Sequence, residues 1–104
     1  MEVIFNDEKL RFLYQEGRER GKPIYGEAVV KSYIKKIDIL ASVNISRELI
    51  FFKSLHFESL KKEYKGFNSI RVNDRYPIVF RILKHKGGAE TIEMAEIHEL
   101  TDCH

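Results

Sequence analysis

From Gly66 to Leu83 the chain carries two strand-forming runs, residues 67 to 72 and 75 to 83, rich in β-branched and aromatic side chains and split by the polar pair Asn73-Asp74. That pattern predicts a β-hairpin and therefore a sheet for it to join. Alternation gives the hairpin two faces. Ile70 and Val72 oppose Phe67, Ser69 and Arg71 on the first strand, and Ile78, Phe80 and Ile82 oppose Val79, Arg81 and Leu83 on the second. One face suits a core. The other carries arginine, and taken singly Arg71, Arg75 and Arg81 are what a solvated sheet face would use.

With 104 residues, the chain is long enough for one core and too short for two ordinary domains, so residues 1-104 are expected to form a single domain. A charged fraction of 33% beside an apolar fraction of 43% is that of a soluble globular protein. No apolar run is long enough for a membrane span and the N-terminus lacks a signal-like block, so a cytoplasmic protein without membrane contact is expected. Cys103 is the only cysteine, which excludes an internal disulfide and a four-cysteine zinc site. Charge is unevenly spread along the chain. Lys53 to Lys86 holds nine basic residues against three acidic ones, whereas 87 to 104 holds five acidic residues and no lysine or arginine. A basic middle can meet a polyanion, unless the acidic tail folds across it.

In chain order, Glu2 to Phe5 reads as a strand stopped by Asn6-Asp7. A helix from about Glu8 to Arg20 follows, carrying Leu10, Leu13 and Tyr14 at helical spacing and extended weakly by Gly17, with Gly21 as its stop and Pro23 near the start of the next. The second helix, from about Ile24 to Ala41, presents Val30, Ile34, Ile37 and Ala41, widened by Val29, Tyr33 and Leu40. Lys31, Lys35 and Lys36 read as its solvated face. Leu49 to Phe52 is an apolar run that periodicity leaves unassigned, and Lys61, Lys62 and Lys65 sit in a loop before Gly66. Lys84 to Gly88 reads as a turn, and a last strand covers about Glu90 to Ile97. The order β-α-α-β-β-β predicts a small α+β domain, with the two N-terminal helices packed on one face of an antiparallel sheet.

Metal-free RNA cleavage needs a base for the 2′-hydroxyl, cations for the charge building on the phosphate, and an acid for the leaving oxygen; an aromatic side chain can hold an unstacked base. The residue types that suit these tasks are His56, Lys61, Lys62, Arg71, Arg75, Tyr76, Arg81 and His104. Each has a plainer reading: His56 as a loop residue, Tyr76 as core, His104 as a frayed end. His85, His98 and Asp102-Cys103-His104 do not have the spacing of a preorganised metal site, and nothing surrounds Cys103 with a base and an oxyanion site, so neither metal nor cofactor is expected.

Leu55-His56, Gly66-Phe67-Asn68-Ser69-Ile70-Arg71-Val72, Tyr76-Pro77-Ile78-Val79-Phe80 and the closing Asp102-Cys103-His104 together resemble the HigB branch of the RelE/ParE toxin superfamily. The resemblance spans nearly the whole chain in element order and is specific mainly from Leu55 onward. It implies a RelE-like fold and the toxin of a bacterial type II toxin-antitoxin module. The activity implied is that of a ribosome-dependent endoribonuclease cutting translated mRNA in the A site. The implied partners are the ribosome, its mRNA and a helix-turn-helix antitoxin through which any contact with DNA is indirect.

Carried over residue by residue, the resemblance implies proton transfer or leaving-group stabilisation by His56 and His104, with Asp102 orienting a histidine. Tyr76 matches the aromatic residue before the strand core. Lys61, Lys62, Arg71, Arg75 and Arg81 enter as RNA or phosphate contacts on charge and placement. The chain departs from the family at Pro77, where arginine is common, and at Cys103, where tyrosine is. Proline lacks the charge and the N–H, so it is expected at a strand start or on an unpaired edge, with Arg75 or Arg81 supplying the charge. The alternatives are a gyrase-inhibiting or catalytically inactive superfamily member, or a non-enzymatic RNA- or protein-binding domain.

Overall fold

In the computed structural model, which describes residues 1–102, the Asn73 side chain closes the hairpin expected around it. Its Oδ1 accepts from the backbone N–H of Arg75 at 2.9 Å and of Tyr76 at 2.8 Å, and the N–H of Val72 donates to the carbonyl of Tyr76 at 2.9 Å. An asparagine that turns the chain with its own amide is the usual chemistry of such a reversal. The strands it joins, β3 (Asn68–Arg71) and β4 (Pro77–Gly87), pair Arg71 with Pro77 and Ser69 with Val79. Pro77 is thus the first residue of its strand, as its missing donor requires.

The other strands are β1 (Glu2–Phe5), the two-residue β2 (Glu58–Ser59) and β5 (Glu90–Leu100), in the order β1-β5-β4-β3-β2. All neighbours are antiparallel except β1 and β5, where Val3 lies beside Ala95 in parallel. The α+β order expected from the sequence holds, with β2 added and β1 making the sheet mixed. Pairing continues through Lys84↔Glu93, His85↔Ile92 and Lys86↔Thr91, so the segment expected to turn is strand, and the reversal falls at Gly88-Ala89. Gly88 takes φ 70° there, a conformation glycine adopts without penalty.

A single irregularity in β5 decides which of its last side chains share a face. Val79 pairs with Glu99 but Phe80 pairs with Ile97, leaving His98 as an extra residue. Such a bulge resets the alternation. Ile97 and Leu100 are therefore both buried on the helix-covered side, while His98 and Glu99 fall together on the other.

Helix α1 (Glu8–Glu16) starts at Asp7, whose Oδ1 accepts from the N–H of Lys9 at 2.7 Å. It ends at Gly17, φ 73°, not at Gly21: the Gly17 N–H closes the last turn on the Leu13 carbonyl, and the left-handed residue cannot continue the helix. Glu19 then binds the N–H groups of Ile24, Tyr25 and Gly26, which keeps those residues out of helix and delays α2 to Glu27–Ser42. Burial pushes the Glu19 carboxyl up, but its three N–H donors outweigh this and hold it below its ordinary range.

α2 packs through Val30, Tyr33, Ile37 and Leu40; Ile34 is only partly buried and Ala41 is exposed, so the seam runs beside the expected one. The core joins these to Leu10 and Leu13 of α1 and to Ile70, Ile78, Phe80, Ala95 and Ile97 of the sheet. Under the β3 side, two 3-10 turns, Ser46–Phe51 and Lys53–Leu55, insert Leu49 and Leu55 into the same core.

Candidate functional site

Three strand ends converge where the hairpin reverses. β3 ends at Arg71, β4 begins opposite it at Pro77, and Ile78 pairs with Leu100 at the end of β5. This brings Arg71, Arg75, Tyr76 and Asp102 to one edge of the sheet. Arg75 donates from Nε to Asp102 Oδ2 at 2.8 Å, and a second guanidinium nitrogen lies 2.8 Å from the same oxygen. The bond to Asp102 raises the Arg75 pKa further above its ordinary value. The guanidinium also lies 5.3 Å from the centre of the Tyr76 ring, and Arg71 reaches Asp74 at 4.0 Å. Tyr76 is fixed by an edge-on contact with Tyr25 at 5.3 Å, and the Tyr25 hydroxyl donates to the Leu100 carbonyl at 2.6 Å. Among the described residues, Asp102 holds the Arg75 guanidinium.

His56 stands at the end of the 53–55 turn in the left-handed conformation, φ 48° and ψ 49°, with an exposed side chain. β2, which begins two residues later, pairs Glu58 with Ser69 on β3. Lys61 and Lys62 are exposed at the 3-10 turn Lys62–Tyr64. That turn is tied to β5 by the Tyr64 hydroxyl, which donates to Glu99 at 2.9 Å. No hydrogen bond joins the side chains of His56, Lys61 or Lys62 to Arg71, Arg75 or Tyr76 among the described residues. His104 and Cys103 lie outside the described residues.

Arg81 belongs to a different group. Its guanidinium is 3.4 Å from Glu96 Oε1 and 5.9 Å from the centre of the Phe67 ring. His98, two residues after Glu96 and on the same face of β5, places Nε2 at 2.6 Å from that Glu96 oxygen and Nδ1 at 3.3 Å from the Asn6 amide nitrogen, with Phe67 packed edge-on at 4.9 Å. No motif in the sequence points to this Arg81–Glu96–His98 constellation. The sequence offers only the two-residue spacing of Glu96 and His98, which puts both on one strand face; their meeting with Arg81 depends on the β4–β5 register. A cavity of about 460 Å³ opens beside His98, between the start of α1, residues 19–25 and the end of β5. Tyr25 and Tyr64 wall it, with Lys9, Arg20 and Lys22 at its rim. Among the described residues, no three His, Cys, Asp or Glu side chains gather to hold a metal ion.

Residues 3–94 match the HigB-like toxin family, described as RelE-like toxin of type II toxin-antitoxin system HigB. The chain belongs to this family. The match ends within β5, so Glu96, His98 and Asp102 of this HigB-like toxin lie beyond it. Among solved structures, the YoeB/ParE toxin from Agrobacterium tumefaciens superposes over 100% of both chains with a TM-score of 0.59 at 16% identity, a likeness of fold. No significant match was found among curated proteins. No helix among the described residues is long and apolar enough to cross a membrane.

Proposed function

We propose that this HigB-like toxin is a ribosome-dependent endoribonuclease that cuts translated mRNA in the A site by metal-independent acid-base catalysis. The observation that carries the reading is the meeting of Arg71, Arg75 and Tyr76 at one sheet end, with Asp102 holding the Arg75 guanidinium in place. In the proposed reaction the 2′-oxygen of one nucleotide attacks the adjoining phosphorus and the bond to the 5′-oxygen breaks, leaving a 2′,3′-cyclic phosphate and a 5′-hydroxyl. His56 and His104 are assigned the two proton transfers, one removing the 2′-proton and the other protonating the leaving oxygen. Arg71 and Arg75 meet the charge that grows on the phosphate, and Tyr76 offers a face to an unstacked base. Lys61 and Lys62 line the approach of the backbone as exposed cations.

The proposed partners are the ribosome and its mRNA, together with a helix-turn-helix antitoxin that carries the only link to DNA. Adding the protein to a translation extract and mapping mRNA 5′ ends tests the activity. Cuts that appear only when ribosomes are translating are the expected result. Intact mRNA, with growth arrest and gyrase-linked DNA breaks on induction in cells, would replace this reading with the gyrase-inhibiting one.

A further inference from the structure

The 3-10 turn Ser46–Phe51 buries Leu49 completely but leaves the next three side chains outside: Ile50 is 62% exposed, Phe51 82% and Phe52 40%. Three consecutive large apolar residues turned to solvent form a contiguous ridge, unlike the scattered apolar side chains of an ordinary surface. In a 3-10 turn residues three apart eclipse, so Arg47 stands over Ile50, and Lys53 follows the ridge directly.

A shallow basin of about 610 Å³ adjoins the start of this turn, lined by Ile45, Arg47, Lys84, Lys86 and Glu93. Its carboxylate and that of Glu48 are committed to the fold. Glu93 accepts from the Ser46 N–H at 2.7 Å and the Ser46 hydroxyl at 3.0 Å, and Glu48 accepts from the N–H groups of Asn44 and Ile45. Arg47, Lys53, Lys84 and Lys86 are all exposed and have no carboxylate partner within ion-pair distance among the described residues. An apolar ridge therefore runs beside a cationic basin whose own acids are already occupied.

We infer that this surface docks an amphipathic helix of a protein partner, its apolar stripe on Ile50, Phe51 and Phe52 and its carboxylates over Arg47, Lys84 and Lys86. Charge complementarity selects an acidic helix, and the aliphatic Ile50 beside two phenyl rings favours an apolar stripe over stacked bases. The basin lies at the Glu93 end of β5, nine residues from Asp102, so the inference stands apart from the proposed cleavage chemistry.

The test titrates the full chain into a fluorescent helical peptide with leucine on one face and glutamate on the other. Saturable binding is expected, weakened at least tenfold by Phe51→Ser and by Lys84→Glu with Lys86→Glu, and lost when lysine replaces glutamate in the peptide. Phe51→Ser is expected to leave mRNA cleavage unchanged, which separates this surface from the proposed active site. Absence of binding, or binding indifferent to Phe51→Ser, overturns the inference. Dimerisation abolished by Phe51→Ser would instead assign the ridge to a second copy of the chain, and weakened binding of single-stranded RNA by the same variant would assign it to nucleic acid; either outcome also overturns it.

Discussion

Arg75 and Asp102, twenty-seven residues apart in sequence, meet at 2.8 Å where the hairpin reverses against the end of the last strand. The acidic tail thus does fold onto the basic middle of the chain, but at chosen points: Asp102 takes Arg75 and Glu96 takes Arg81. These pairings divide arginines that looked equivalent in the sequence. Arg75 sits at the sheet end beside Arg71 and Tyr76, whereas Arg81 is held between Glu96 and Phe67. Arg75→Ala is expected to lower ribosome-dependent cleavage more than tenfold, and Arg81→Ala to lower it less. Both side chains are about half exposed or more, so urea melts of the two variants should stay close to that of the parent. Equal losses of cleavage in the two variants would place Arg81 in the site on the same footing.

Tyr33 is fully buried and its hydroxyl donates to the Leu10 carbonyl at 3.0 Å, linking α2 to α1. Burial pushes its phenol well above the ordinary value. A group whose pKa is raised on folding stabilises the native state fully below its unfolded pKa, about 10 for tyrosine, and loses that contribution as pH climbs toward the folded value. Tyr33→Phe is expected to cost about 1 kcal/mol at neutral pH through the lost hydrogen bond. It should also flatten the fall in stability above about pH 10. Urea melts across that range read both effects, and an unchanged alkaline slope would assign the dependence to other groups.

The sequence pattern located every major strand and both helices, because alternation and the helical repeat are local signals of burial. Boundaries moved where a side chain or a glycine intervened from nearby: Gly17 ended α1 early, and Glu19 took the N–H groups that would have begun α2. What alternation does not carry is which strands become neighbours, so the parallel pairing of β1 with β5 was not legible. The Arg81–Glu96–His98 group was hidden for a related reason, since the pairing of Arg81 with Glu96 depends on the β4–β5 register, and β5 runs past Ile97, where the strand was expected to stop. Arg71, Arg75 and Tyr76 were legible as a group because they flank a single turn. Asp102 joined them through a contact across the whole hairpin that no spacing rule expresses.

Gly17 offers a direct check on the first of those boundaries. At φ 73° it occupies the left-handed region, and a Cβ added there would meet only the Ile34 Cδ1 atom at 3.9 Å. Space is therefore not the constraint. Gly17→Ala is expected to destabilise by about 1 kcal/mol from backbone conformation alone. Thermal melts measure it, and a neutral result would mean that α1 extends past Glu16 at little cost.

His56 is the candidate whose structural and chemical roles can be pulled apart most cleanly. It adopts φ 48° and ψ 49° at the end of the turn that buries Leu55, and its N–H donates to the Lys53 carbonyl at 3.2 Å. Glycine accepts that backbone conformation, whereas alanine retains the strain of a side chain in the left-handed region. A loss of cleavage in His56→Ala alone would therefore mix two causes. His56→Gly removes the imidazole while leaving the turn in its preferred geometry, so its stability should stay within about 1 kcal/mol of the parent. Its cleavage of translated mRNA should fall at least tenfold if the imidazole transfers a proton. Retained cleavage in His56→Gly, set beside a destabilised His56→Ala, would show that His56 serves the turn and not the reaction.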